Sequence, residues 1–135
     1  MAIIKSYSDW EQSKKLAEIL PLESADMYYD RYGTPSVIDK YVTHESIKND
    51  KYHHLIPCWS LAVLFSVLPI VYTNNKKEIC GPLHIDITDS ETPFVLWYIN
   101  PLHKGNIVEL KTKEYDNLVD ACYEMIMRLH ELKML

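Results

Sequence analysis

Glycine is scarce in this chain and scattered. Gly33, Gly81 and Gly105 are the only three, and none stands near another. A phosphate-cradling loop needs clustered glycines so that backbone N–H groups can close on an anion, so both the P-loop and the dinucleotide fingerprint are excluded. Arginine is scarcer still: Arg31 and Arg128 are the whole set. The net charge is −5, and no stretch is rich in Arg and Lys, so no nucleic-acid partner is expected. No G-x-S-x-G, H-E-x-x-H, C-x-x-C or calcium-loop pattern occurs. The cysteines are Cys58, Cys80 and Cys122, an odd number at wide spacing. That is not the framework of a secreted disulfide protein. The opening MAIIKSYSDWEQ lacks the charged start and apolar stretch of a signal peptide, so the expected compartment is the cytoplasm.

Long apolar runs are also missing, with one exception. Leu55 to Tyr72, LIPCWSLAVLFSVLPIVY, carries no charge and is divided by Pro57 and Pro69. A membrane-spanning helix needs ~20 apolar residues. Cys58 to Leu68, between the prolines, reaches only about 16 Å at the helical rise. No second apolar segment exists to satisfy the backbone of a kinked span, so no membrane partner is expected. Pro57 suits the first turn of a helix and Pro69 stops one. The segment 58–68 is therefore expected to be a central helix buried on all sides, because it has no polar face.

The remaining patterns are short and mixed. Ser8-x-x-Glu11 reads as a capping box opening a helix that runs to about Leu20, where Pro21 stops it. Ala25–Tyr32 is ambiguous. Ser36–Val42 and Ile70–Thr73 read as short strands, and Thr43–His54 as a polar loop with room for one helical turn. Leu83–Thr88 alternates, with Leu83, Ile85 and Ile87 on one face and His84, Asp86 and Thr88 on the other, the mark of a half-buried strand. Phe94–Asn100 is apolar on both faces and belongs mid-sheet or under a helix. Ile107–Lys111 pairs next, with Lys111 guarding an edge. Asp116 or Asn117 can cap a last helix whose stripe is Leu118, Cys122, Met125, Leu129 and Leu132. Short turns between strands imply antiparallel pairing. The expected fold is α+β in one domain over 1–135: an antiparallel sheet of about four to five short strands with three helices, the 58–68 helix buried.

Candidate chemistry is thin. Cys58 at a helix start, with His53 and His54 just upstream, has the makings of a Cys–His nucleophile; a helix N-terminus favours a thiolate. The plainer reading is that Cys58 is a small buried hydrophobe and the histidines sit in a loop. Cys80, His84, Asp86 and Asp89 offer metal-ligand types, but two polar residues on one strand face are the ordinary solvated pattern, and no metal or other cofactor is expected. Asp26 with Asp30, and Asp86 with Asp89, are carboxylate pairs that chance supplies among 19 acidic residues. Tyr28, Tyr29, Arg31 and Tyr32 form a candidate binding cluster, since Tyr and Arg are enriched at interface hot spots. Rings roofing a core are the plainer alternative.

The segments LAEILPLESADMYY, IPCWSLAVLFSVLP and LVDACYEMIMRLHEL resemble blocks found in small uncharacterised proteins of bacteriophages and prophages of gut anaerobes. The matching positions are Pro57, Trp59, Ser60, Leu61, Leu68 and Pro69. The resemblance implies a phage or mobile-element origin and brings no activity and no catalytic residues. A non-catalytic binding or assembly protein is expected, acting on a protein partner or on a second copy of itself. The alternatives are a small enzyme built on His53, His54 and Cys58, and an acidic inhibitor or immunity protein.

Overall fold

The computed structural model describes residues 5–50, 54–101 and 107–135. The class is α+β, with four helices and eight strands in three small antiparallel sheets among the described residues. Two compact units form: Ser6–Phe65, and Lys5 with Ser66–Leu135.

The first unit opens with helix α1 (Trp10–Ile19). Its cap is Asp9, not the expected Ser8. Asp9 Oδ1 accepts the Gln12 N–H at 2.8 Å, and Gln12 Oε1 accepts the Asp9 N–H at 3.1 Å. Ser8 is otherwise engaged: fully buried, its hydroxyl meets Ser13 Oγ at 2.8 Å and accepts the Trp59 N–H at 3.1 Å. Strands β1 (Met27–Tyr29) and β2 (Pro35–Val37) form a hairpin around Gly33. Helix α2 (His44–Lys48) is capped by Thr43. Strand β3 (Ile56–Cys58) completes a sheet in the order β2-β1-β3. Leu16, Cys58, Trp59 and Leu64 are fully buried, each large apolar side chain contributing about 1.5–3 kcal/mol.

Helix α3 (Leu61–Val67) carries the chain into the second unit. The expectation of a helix over 58–68 buried on all sides is corrected here. The first part of the run is drawn into β3, where Cys58 pairs with Met27 and Pro57 with Tyr28. Within α3 only Leu64 is buried; Ala62 and Ser66 face solvent. An unbroken apolar string states that burial is favourable but does not fix which backbone form meets it.

The second unit begins with β4 (Tyr72–Thr73) and β5 (Ile79–Cys80). Asn74 makes the turn between them, its Oδ1 accepting the Lys76 and Glu78 N–H groups at 2.9 Å each. At Gly81, φ is +137° and a Cβ would stand 2.7 Å from the Ile70 carbonyl oxygen, so only glycine fits. The main sheet has the order β6-β7-β8, from β6 (Leu83–Ile87), β7 (Phe94–Asn100) and β8 (Ile107–Lys111). The doubly apolar β7 lies in the middle. Helix α4 (Leu118–Glu131) packs on β7. Asn117 caps it, accepting the Asp120 N–H at 2.8 Å. Val119, Cys122, Met125, Ile126 and Leu129 are fully buried, close to the stripe read from the sequence.

The count of sheets and helices is therefore corrected from one and three to three and four among the described residues. The β strands are too short, and too often broken by turns, to join one ladder.

Candidate functional site

Cys58 does not open a helix. It sits in β3, with no solvent exposure, and its Sγ lies 3.4 Å from the Ser8 carbonyl oxygen. Burial pushes its thiol pKa up, and the Ser8 and Ser13 hydroxyls oppose this only in part. A nucleophilic thiolate needs the reverse shift. His54 is exposed ahead of β3, and His53 lies outside the described residues. The helix-start argument for a lowered thiol pKa therefore does not apply to Cys58.

The tyrosine cluster disperses. Tyr29 is a core residue: its hydroxyl donates to the Ser8 carbonyl at 2.7 Å and its ring meets Trp10 edge-on at 5.6 Å. Tyr28 projects from the other face of β1. Tyr32 is 76% exposed at the hairpin turn, with the Arg31 guanidinium 4.7 Å above its ring. That pair is solvent-facing and separate from Tyr29. The Asp26 and Asp30 carboxylates are structural. Asp26 accepts the Ser60 N–H at 2.8 Å, and Asp30 holds its turn through Tyr32 and Thr34 N–H groups at 2.9 and 3.0 Å.

Cys80, His84, Asp86 and Asp89 do not converge; among the described residues no three His, Cys, Asp or Glu side chains are placed to hold a metal. Cys80 is buried, while His84 lies flat on Trp97 across the strands, ring centres 4.2 Å apart. A groove of about 460 Å³ runs along α1 and β3, lined by Trp10, Lys14, Ala17, Leu55, Ile56 and Pro57. A hollow of about 270 Å³ is lined by Tyr72, Asn74, Asn75, Lys76, Glu109, Leu132 and Met134. Neither brings a nucleophile to a base.

The feature that sequence reading missed is the outer edge of β6. Thr88 donates to the Pro93 carbonyl and Leu83 donates to the Ile70 carbonyl, both at close range (2.8 and 2.9 Å). With the register Leu83↔Tyr98 to Ile87↔Phe94, this fixes the alternation. His84, Asp86 and Thr88 bond towards β7, and Leu83, Ile85 and Ile87 point their backbone groups outward. The Leu83 N–H is taken by Ile70. The N–H and C=O groups of Ile85 and Ile87 meet no partner among the described residues.

The side chains match. Ile85 and Ile87 share a face with Leu96 and Tyr98. Leu96 and Tyr98 are fully buried, whereas Ile85 is 44% and Ile87 74% exposed. The expected half-buried strand is thus uncovered on its apolar side. A helix is about 10–12 Å wide and strands lie about 4.8 Å apart, so one helix shields about two strands. α4 takes β7 and β8.

Among the described residues, the edges at β8, β3 and β2 each carry a block. At β8, Arg128 donates to the outward Lys111 carbonyl and Glu124 accepts the Lys113 N–H at 3.0 Å, and the ladder is bulged beside Tyr98 and Ile99. In β3 the outward position is Pro57, which has no N–H, and in β2 one is Pro35. β6 has no proline, no bulge and no lysine. The signal in the sequence was this contrast, but it required knowing which strands are edges.

No protein-family model, curated protein or solved structure matches the chain.

Proposed function

We propose that this is a non-catalytic binding protein that accepts an extended segment of a partner protein along β6. The observation that carries the reading is the open edge: unpaired backbone groups at Ile85 and Ile87 beneath two exposed isoleucine side chains. An added strand satisfies those groups and covers the isoleucines in a single step, which is how strand addition derives its affinity. The enzyme alternative would rest on Cys58, whose buried thiol is pushed up in pKa, and this favours the binding reading. A phage accessory or assembly role, suggested by the resemblance of the Pro57–Pro69 block, fits a binding function and is checked by the neighbouring genes in the source genome.

The test places a photo-crosslinking residue at Ile87, with Val37 as control, in cells of the source organism. Val37 is 66% exposed on another edge. Crosslinks at Ile87 that exceed those at Val37, and that map to an extended segment, are expected. Equal yields at the two sites would sink the proposal.

A further inference from the structure

The charge around the open edge identifies the chemistry of the segment that binds it. We infer that the partner strand carries a lysine or arginine flanked on each side, in alternation, by an apolar residue, and that it is not a second copy of β6. This rests on the strand-addition reading above.

Asp86 lies between the two isoleucines and points from the opposite face. It is exposed, as are Asp89 and Glu91 in the following turn. No lysine or arginine occurs from Glu78 to Asn100, so nothing in this stretch of chain offsets those carboxylates. A residue opposite Asp86 in an added strand has its Cβ about 4.5–5.5 Å away, where opposite charges attract and like charges repel. The residues opposite Ile85 and Ile87 fall on the apolar face. The complementary pattern is apolar, basic, apolar.

Self-pairing fails the same criteria. The two-fold register that joins the groups of Ile85 to those of Ile87 in a second copy sets Asp86 directly against Asp86, in the closer, non-hydrogen-bonded kind of pair. A shift of two residues one way brings Ile87 of the second copy to Leu83, where the Ile70 carbonyl already sits. A shift the other way sets Ile85 against Asp89, in the turn. Asp86 and Ile70 together therefore act as a guard against homotypic pairing, while leaving the edge open to a basic strand.

The experiment uses the whole chain and two short synthetic peptides, identical except for a central Lys or Glu between two valines. Amide protection at Ile85 and Ile87 is followed by NMR, with affinity from the titration. The Lys peptide is expected to bind about tenfold more tightly, from one attractive pair gained and one repulsive pair avoided. Asp86→Lys is expected to reverse the preference, and Ile87→Lys to abolish protection by both peptides while leaving the circular dichroism spectrum unchanged. Equal affinity of the peptides, with both protecting the edge, would overturn the partner chemistry and leave strand addition standing. No protection by either peptide at millimolar concentration would overturn both. A dimer of the wild-type chain in sedimentation, lost in Ile87→Lys, would also overturn the inference.

Discussion

Raising the pH should destabilise this protein through Cys122, and one substitution isolates the effect. Cys122 is fully buried on α4. Burial alone pushes its thiol from the ordinary 9.0 up to about 12. The unfolded chain releases this proton near its ordinary value while the folded chain keeps it. The stabilisation is therefore complete below pH 9 and is lost as pH rises towards 12. Linkage gives a loss of about 1.4 kcal/mol at pH 10 from this group, and about 2.7 kcal/mol at pH 11. Cys122→Ala removes the titrating thiol. Its packing penalty, about 1–2 kcal/mol, is the same at every pH. Urea unfolding by circular dichroism at pH 7 and pH 10, in reductant, measures both. Wild type should lose about 1.4 kcal/mol more than the variant over that interval. A difference between them that stays constant with pH would refute the buried-thiol reasoning. Above pH 10 the buried Tyr98 acts in the same direction; burial first, then the nearby Cys122, raises its pKa.

All three thiols are fully buried. Iodoacetamide at pH 7.5 should leave the native protein unmodified and label Cys58, Cys80 and Cys122 in urea, as read by mass spectrometry; rapid native labelling of Cys58 would revive the enzyme alternative. Gly81→Ala forces a Cβ to within 2.7 Å of the Ile70 oxygen at positive φ, and should lower the unfolding free energy by about 2 kcal/mol or more. An unchanged urea midpoint would contradict that. Asn117→Ala removes the cap of α4 and should cost about 1–2 kcal/mol, with Asn117→Asp recovering most of it.

Much of the local structure was legible in the sequence. The stripe Leu118, Cys122, Met125, Leu129 and Leu132 places α4 and most of the face it buries, because helical spacing maps directly onto one side of a helix; Leu132, at the C-terminal cap, is exposed. The alternation of Leu83–Thr88 and the double-faced apolarity of Phe94–Asn100 identify β6 and the central β7. The errors share one cause. Leu55–Tyr72 is apolar throughout, so it carries no period to separate strand from helix, and β3 went unseen inside it. Ser8 and Asp9 are both good caps, and only the tertiary bond of Ser8 to Trp59 decides between them.

The candidate site shows the same division. Residue order alone made Ile85 and Ile87 apolar neighbours on one side of a strand, with Asp86 on the other. It could not show that they would be left outside the core. That outcome depends on where α4 packs, against β7, on Arg128 and Glu124 meeting the Lys111 carbonyl and the Lys113 N–H at the far edge, and on the Ile70 carbonyl taking only the first outward N–H of β6. Side-chain pattern is a property of the chain, whereas the supply of cover is a property of the packed body, and no spacing rule encodes how wide a helix is relative to the sheet beneath it.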